Sequence, residues 1–131
     1  MKRVIIVAVV IIAIIVGFFA ALFLWTGATV KGNISTAQEK YGGSPEAALI
    51  SYLLDENNSA EDRSHIAIWT LGQIQSDTAL PILRKLYKND PQGVTCHEKH
   101  DSLLCQYEIR KAIDAIKNKP RFSHSRLKGP N

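Results

Sequence analysis

The stretch Val4–Trp25, VIIVAVVIIAIIVGFFAALFLW, follows a Met1-Lys2-Arg3 start and runs for 22 residues without a charged side chain. At 1.5 Å of rise per residue it makes a helix of about 33 Å, enough to cross a hydrocarbon core of about 30 Å. The sequence therefore predicts a transmembrane segment over 1–26, with Trp25 at the far interface. A secretory signal shares the basic start, but its apolar region is normally about 7 to 15 residues long and ends at a small-residue cleavage site. Thr26-Gly27-Ala28 offers a weak site of that kind, so a cleaved signal stands as the alternative to an uncleaved signal anchor. A buried core helix is disfavoured, because the rest of the chain has too little apolar surface to surround a helix that is apolar on every face.

Orientation follows from Lys and Arg near the ends of the segment, since distant charges hardly count. Lys2, Arg3 and the amino terminus oppose Lys31 and Lys40. This balance predicts a cytoplasmic amino terminus and a carboxyl-terminal domain in the periplasm or extracellular space, in a single-pass arrangement.

The formal net charge of +4 over 131 residues is modest. Lys117, Lys119, Arg121, Arg126 and Lys128 crowd the end of the chain, where Pro120, Gly129 and Pro130 oppose helix formation. Residues 119–131 are predicted to be a basic disordered tail. Such a tail solubilises, or touches anionic lipid or polymer; outside the cell it meets no genomic nucleic acid.

Residues 27–43 are rich in Gly, Ser, Thr and Asn and show no sustained periodicity, which predicts a polar linker. Ser44-Pro45-Glu46 then supplies an N-cap, a proline at the first helical position and an early carboxylate. Ala48, Leu49, Tyr52 and Leu53 follow at helical spacing. A second helix starts at Asn58 or Ser59 and leads into Ile66, Ala67, Thr70, Leu71 and Ile74. A third begins at Ser76-Asp77 and carries Leu80, Leu83, Leu86 and Tyr87. A fourth begins near Ser102, carries Ile109, Ala112, Ile113 and Ile116, and stops before Lys119-Pro120.

Sliding the chain against itself relates these helices in pairs. Leu49, Ile50 and Leu53 align with Ile82, Leu83 and Leu86 at an offset of 33, and Ala67, Ile68 and Leu71 with Ala112, Ile113 and Ile116 at an offset of 45. The difference of twelve residues is an insertion within Lys88–Leu104. The run RSHIAIWTLGQI (Arg63–Ile74), followed by SDTALPIL (Ser76–Leu83), resembles a HEAT-type repeat of the short bacterial kind also seen in phycobilisome lyases. Leu71-Gly72-x-Ile74 and Ala79-Leu80-Pro81-x-Leu83 carry most of the likeness, which covers residues 60–89. The resemblance implies an all-α fold over 44–118, a short α-solenoid of about two HEAT-like hairpins behind the transmembrane helix. It also implies a surface that holds other proteins. Gly72 would let two helices approach closely, and Pro81 falls in a first turn where a missing N–H is tolerated. Two repeats are few for a closed core, so a stabiliser or a partner is expected.

The insertion CHEKHDSLLC (Cys96–Cys105) holds both cysteines and admits three readings. In an oxidising compartment Cys96 and Cys105 form a disulfide, whose ten-residue loop is worth about 2–3 kcal/mol in the chain-entropy model. Alternatively Cys96, His97, His100 and Cys105 bind zinc, although adjacent Cys96 and His97 and the lack of a Cys-x-x-Cys pair suit a tetrahedral site poorly. Free or redox-active thiols are the third reading. A single His97-Glu98 pair in a loop does not match the repeated pairs of HEAT-like iron hydroxylases. His65 and His124 read as surface or capping side chains, and the sequons at Asn33 and Asn57 as chance occurrences.

No serine, cysteine or carboxylate sits in a nucleophilic or acid–base arrangement, so neither an enzyme nor a cofactor is expected. The expected function is a membrane-anchored scaffold that docks a protein in the cell envelope, with Trp69, Arg84, Tyr87 and Lys88 as contact candidates. The thiol or zinc module on the Cys96–Cys105 loop is the alternative. A second copy of the chain is an allowed partner, and nucleic acid is not expected.

Overall fold

A computed structural model describes residues 2–90, 96 and 103–118, and every element among them is helical. The expected tail over 119–131, together with His97 and His100, lies outside the described residues.

Helix α1 (Lys2–Tyr41) is 40 residues long, about 60 Å at helical rise. Its apolar window is wholly exposed, with none of it buried against the rest of the protein. By length and composition it is a candidate membrane span. The linker predicted over 27–43 is overturned, because α1 continues through those residues to Tyr41. Hydroxyls from Thr26 onward fold back onto the helix: Thr26 donates to the Leu22 carbonyl, Thr29 to Trp25 and Thr36 to Gly32, at 3.0, 3.0 and 3.1 Å. Polar side chains thus find partners within the helix. Val30, Ile34, Ala37 and Tyr41 lie at helical spacing, with Ala37 fully buried and Ile34 and Tyr41 packed on the core. The helix ends where Gly42 and Gly43 take φ of +68° and +78°, a left-handed stop for which glycine carries no steric cost.

Helix α2 (Pro45–Leu54) opens as expected, with the Ser44 hydroxyl accepting from the Ala47 N–H, and buries Ala48, Leu49, Tyr52 and Leu53. Helix α3 is one rod in three parts: α-helical Ala60–Asp62, π-helical Arg63–Ile68 and α-helical Trp69–Gln73. Ser59 caps its start through the Asp62 N–H. The rod ends in a Schellman pair, Ser76 N–H to the Leu71 carbonyl and Gln75 N–H to Gly72, with Gln75 at φ +53°.

Helix α4 (Leu80–Leu86) begins four residues after the predicted Ser76, which instead accepts from the Ala79 N–H at 3.0 Å and donates to the Glu46 carboxylate. Pro81 sits in its first turn. Helix α5 (Gln106–Lys117) likewise starts four residues later than the predicted Ser102. Gln106 joins the two, accepting from the Lys88 N–H at 2.6 Å and donating to the Leu86 carbonyl at 3.4 Å.

The packing order is α1 on α2 and on α3, α3 on α5, and α5 on α4. Leu49, Leu53, Ile68, Leu71, Leu83, Ile109 and Ile116 fill the core. α3 and α5 meet through Gly72, where an added Cβ would lie 2.9 Å from the Ala112 Cα and 3.0 Å from its Cβ. The α2–α3 and α4–α5 pairs are joined through α3 and α5, while α2 and α4 make no comparable contact.

Gly72→Val forces this crossing apart. It is expected to lower unfolding stability by about 1–3 kcal/mol, the usual cost of overpacking. Gln73→Ala, on the exposed neighbour, should stay within about 0.5 kcal/mol. Thermal melting of the full chain in micelles checks both.

Candidate functional site: two grooves flanking Trp69

Trp69 is the first residue after the π-helical turn, and its N–H reaches the Ser64 carbonyl five residues back. π-Turns inside α-helices recur at functional sites because they re-aim the side chains around them. Here the turn faces α1. Asn33 donates its side-chain amide to the His65 carbonyl at 3.3 Å and to the Thr70 hydroxyl, fully buried, at 2.9 Å. One carboxamide thereby holds α1 to both ends of the turn.

Trp69 is half-buried and forms a ridge between two grooves. The first, about 240 Å³, lies between α1 and α3 and is lined by Thr29, Asn33, His65, Ile66 and Trp69. The second, about 110 Å³, lies between α3 and α5, floored by Gly72 and Ala112 and walled by Trp69, Gln73, Glu108, Lys111 and Ala115. Its rim carries a Lys111–Glu108 ion pair at 3.8 Å. The Lys111 ammonium also lies 5.1 Å from the centre of the Tyr107 ring, within cation–π range. An indole ridge between an apolar floor and a charged rim suits recognition by contact.

Of the predicted contact residues, only Trp69 lines these grooves. Arg84 and Lys88 are exposed and Tyr87 is half-buried at the end of α4, and none of the three belongs to either groove. Thr29, Asn33, His65, Gln73, Glu108 and Lys111 were not singled out by sequence as contacts. The one signal for the α1 side is that Thr29, Asn33 and Ala37 recur every four residues, on one helical face.

Cys96 and Cys105 form a disulfide with their Cα atoms 4.8 Å apart. The Cys105 N–H donates to the Ser64 hydroxyl at 3.2 Å, so the staple is tied to the start of the π-turn. Both thiols are engaged in this pairing, and the zinc set is not assembled among the described residues. Among those residues no group of three or more His, Cys, Asp and Glu gathers as metal ligands do.

A second polar cluster fixes the last turn of α1. Tyr41 donates its phenolic proton to the Asp55 carboxylate at 2.5 Å, and Lys40 donates to the Asn58 side-chain oxygen at 2.5 Å. Asn58, buried, donates its amide to the Tyr52 carbonyl and to the Tyr41 oxygen, each at 2.9 Å. The Tyr41 and Tyr52 rings meet edge to face at 5.8 Å. The Tyr41 hydroxyl, followed by the Asn57 backbone N–H, lowers the Asp55 pKa from 3.8 to about 2.

No protein-family profile, curated protein sequence or solved structure matches the chain.

Because the Asp55 pKa is depressed on folding, its contribution is fully present above about pH 4 and is lost as the pH falls through about 2. The melting temperature is expected to drop across that window. Asp55→Asn should lower it at neutral pH and flatten the drop, which melting curves between pH 2 and 7 measure.

Proposed function

We propose that this chain is a single-pass membrane-anchored module that docks a protein partner beside the bilayer, with the α3–α5 groove as the contact surface. The observation that carries the reading is the unbroken run of α1 from its apolar segment into the domain core. A helix that is both anchor and core element holds the domain in one orientation, which is what a scaffold needs. The groove presents an indole, a methyl-lined floor and two opposite charges, a surface suited to a peptide segment or a helix face.

In this reading the amino terminus is cytoplasmic and the domain lies in the periplasm or extracellular space. Lys2 and Arg3 on the inner side support that orientation, and the Cys96–Cys105 pair suits an oxidising compartment. The two helical pairs are read as a short HEAT-like unit, a reading supported by Gly72 at the closest helix approach and Pro81 in a first turn.

A photocrosslinking residue placed at Gln73 or Lys111, both exposed on the groove rim, is expected to give the same discrete protein adduct in native membranes. Glu56 and Lys85, exposed elsewhere, should give none. Adducts absent from the rim positions, or equal at all four, would contradict the assignment.

A further inference from the structure

Of the two α1 residues that line the larger groove, Thr29 lies nearer the apolar run, and His65, Ile66 and Trp69 line the groove with it. Thr29 lies four residues beyond Trp25, the end of the apolar run, and Asn33 eight beyond it. These intervals are about 6 and 12 Å along the helix axis. The headgroup zone adds about 5 to 8 Å to each side of the hydrocarbon core. A helix tilt of about 20° shortens the heights by only about 6%. The helix between these points is continuous, so no hinge lifts the domain away.

We propose that the edge formed by His65, Ile66 and Trp69 rests in the headgroup layer of the bilayer that α1 enters. The inference rests on α1 spanning that bilayer. Indole, with an apolar body and an N–H donor, is the side chain that favours this layer. Few charges flank the edge from α1 and α5. On α1, Lys31 is the only charged residue from Thr26 to Gln38, and on α3 His65 is exposed. From α5, Lys111 and its partner Glu108 face the other side of Trp69. Trp69 is therefore a second interfacial anchor, seated beside the helix rather than on it, and it sets the azimuth of the domain against the membrane.

The chain has two tryptophans, so each single substitution leaves one reporter. In vesicles of zwitterionic and anionic phospholipid carrying a headgroup nitroxide, the Trp25→Phe chain reports Trp69. It is expected to lose at least half its fluorescence, with weak quenching by aqueous iodide. The Trp69→Phe chain reports Trp25 and should be quenched by nitroxide lipid whether or not the edge is seated. Trp25 quenched by lipid while Trp69 answers only to iodide would overturn the proposal and leave the membrane span standing. Neither tryptophan quenched by lipid would overturn the span itself, and the proposal with it. Seven alanines inserted between Ala28 and Thr29 raise the domain by about 10 Å with nearly the same facing. Trp69 quenching by lipid should then fall at least twofold, and undiminished quenching would also overturn the proposal.

Discussion

Continuity of the α1 hydrogen-bond ladder past the apolar segment is the constraint on which the remaining packing depends. Residues after Trp25 have no apolar excess to hold them helical, and isolated helices of such composition are marginal in water. What stabilises them is the domain: Ile34, Ala37 and Tyr41 enter the core, Asn33 bonds the π-turn, and the Tyr41–Asp55 and Lys40–Asn58 bonds clamp the last turn. The dependence runs both ways. Without α1, the core it shares with α2 and α3 would lose one of its covering layers. The small domain therefore finds in α1 part of the stabiliser that two helical pairs lack.

The disulfide acts at the other end of the same structure. Cys105 occupies the N-cap position of α5, and its N–H reaches Ser64 at the start of the π-turn. Asn33 grips that turn from α1. The π-helical segment is thus held from two sides, by α1 and by the stapled loop. Trp69, which follows it, is positioned by both.

Much of this was legible in the sequence. The apolar run identified a helix fit to span a bilayer, Ser44 and Ser59 marked helix starts, and Gly72 marked a close helix crossing. The Cys96–Cys105 pairing was one of three readings of that loop, and it is the one the structure holds. The helical state of residues 27–41 was hidden, because Gly, Ser, Thr and Asn make a composition typical of loops. The stripe of Val30, Ile34, Ala37 and Tyr41 emerges only once its packing partner is known. Ser76 and Ser102 were read as helix starts four residues too early: Ser76 caps an isolated turn before α4, and Cys105 occupies the N-cap position of α5. The grooves were not legible, since Thr29 and Asn33 meet His65 and Trp69 across more than thirty residues of chain, and no local pattern signals the π-turn that brings them together. The HEAT-like resemblance read from the sequence covers residues 60–89 and says nothing of α1.

In the proposed reading, a domain mounted on its membrane helix in this way differs from one hung on a flexible tether. Its surfaces keep a set height and facing, so recognition at the α3–α5 groove would be confined to partners that lie beside the same membrane. The measurement closest to this claim is amide hydrogen exchange over residues 27–41 of the full chain in lipid nanodiscs. Exchange as slow as that of the core of α3 is the expected result, consistent with one helix running from the bilayer into the domain. Exchange at the rate of an unstructured peptide would restore a flexible linker and contradict the account.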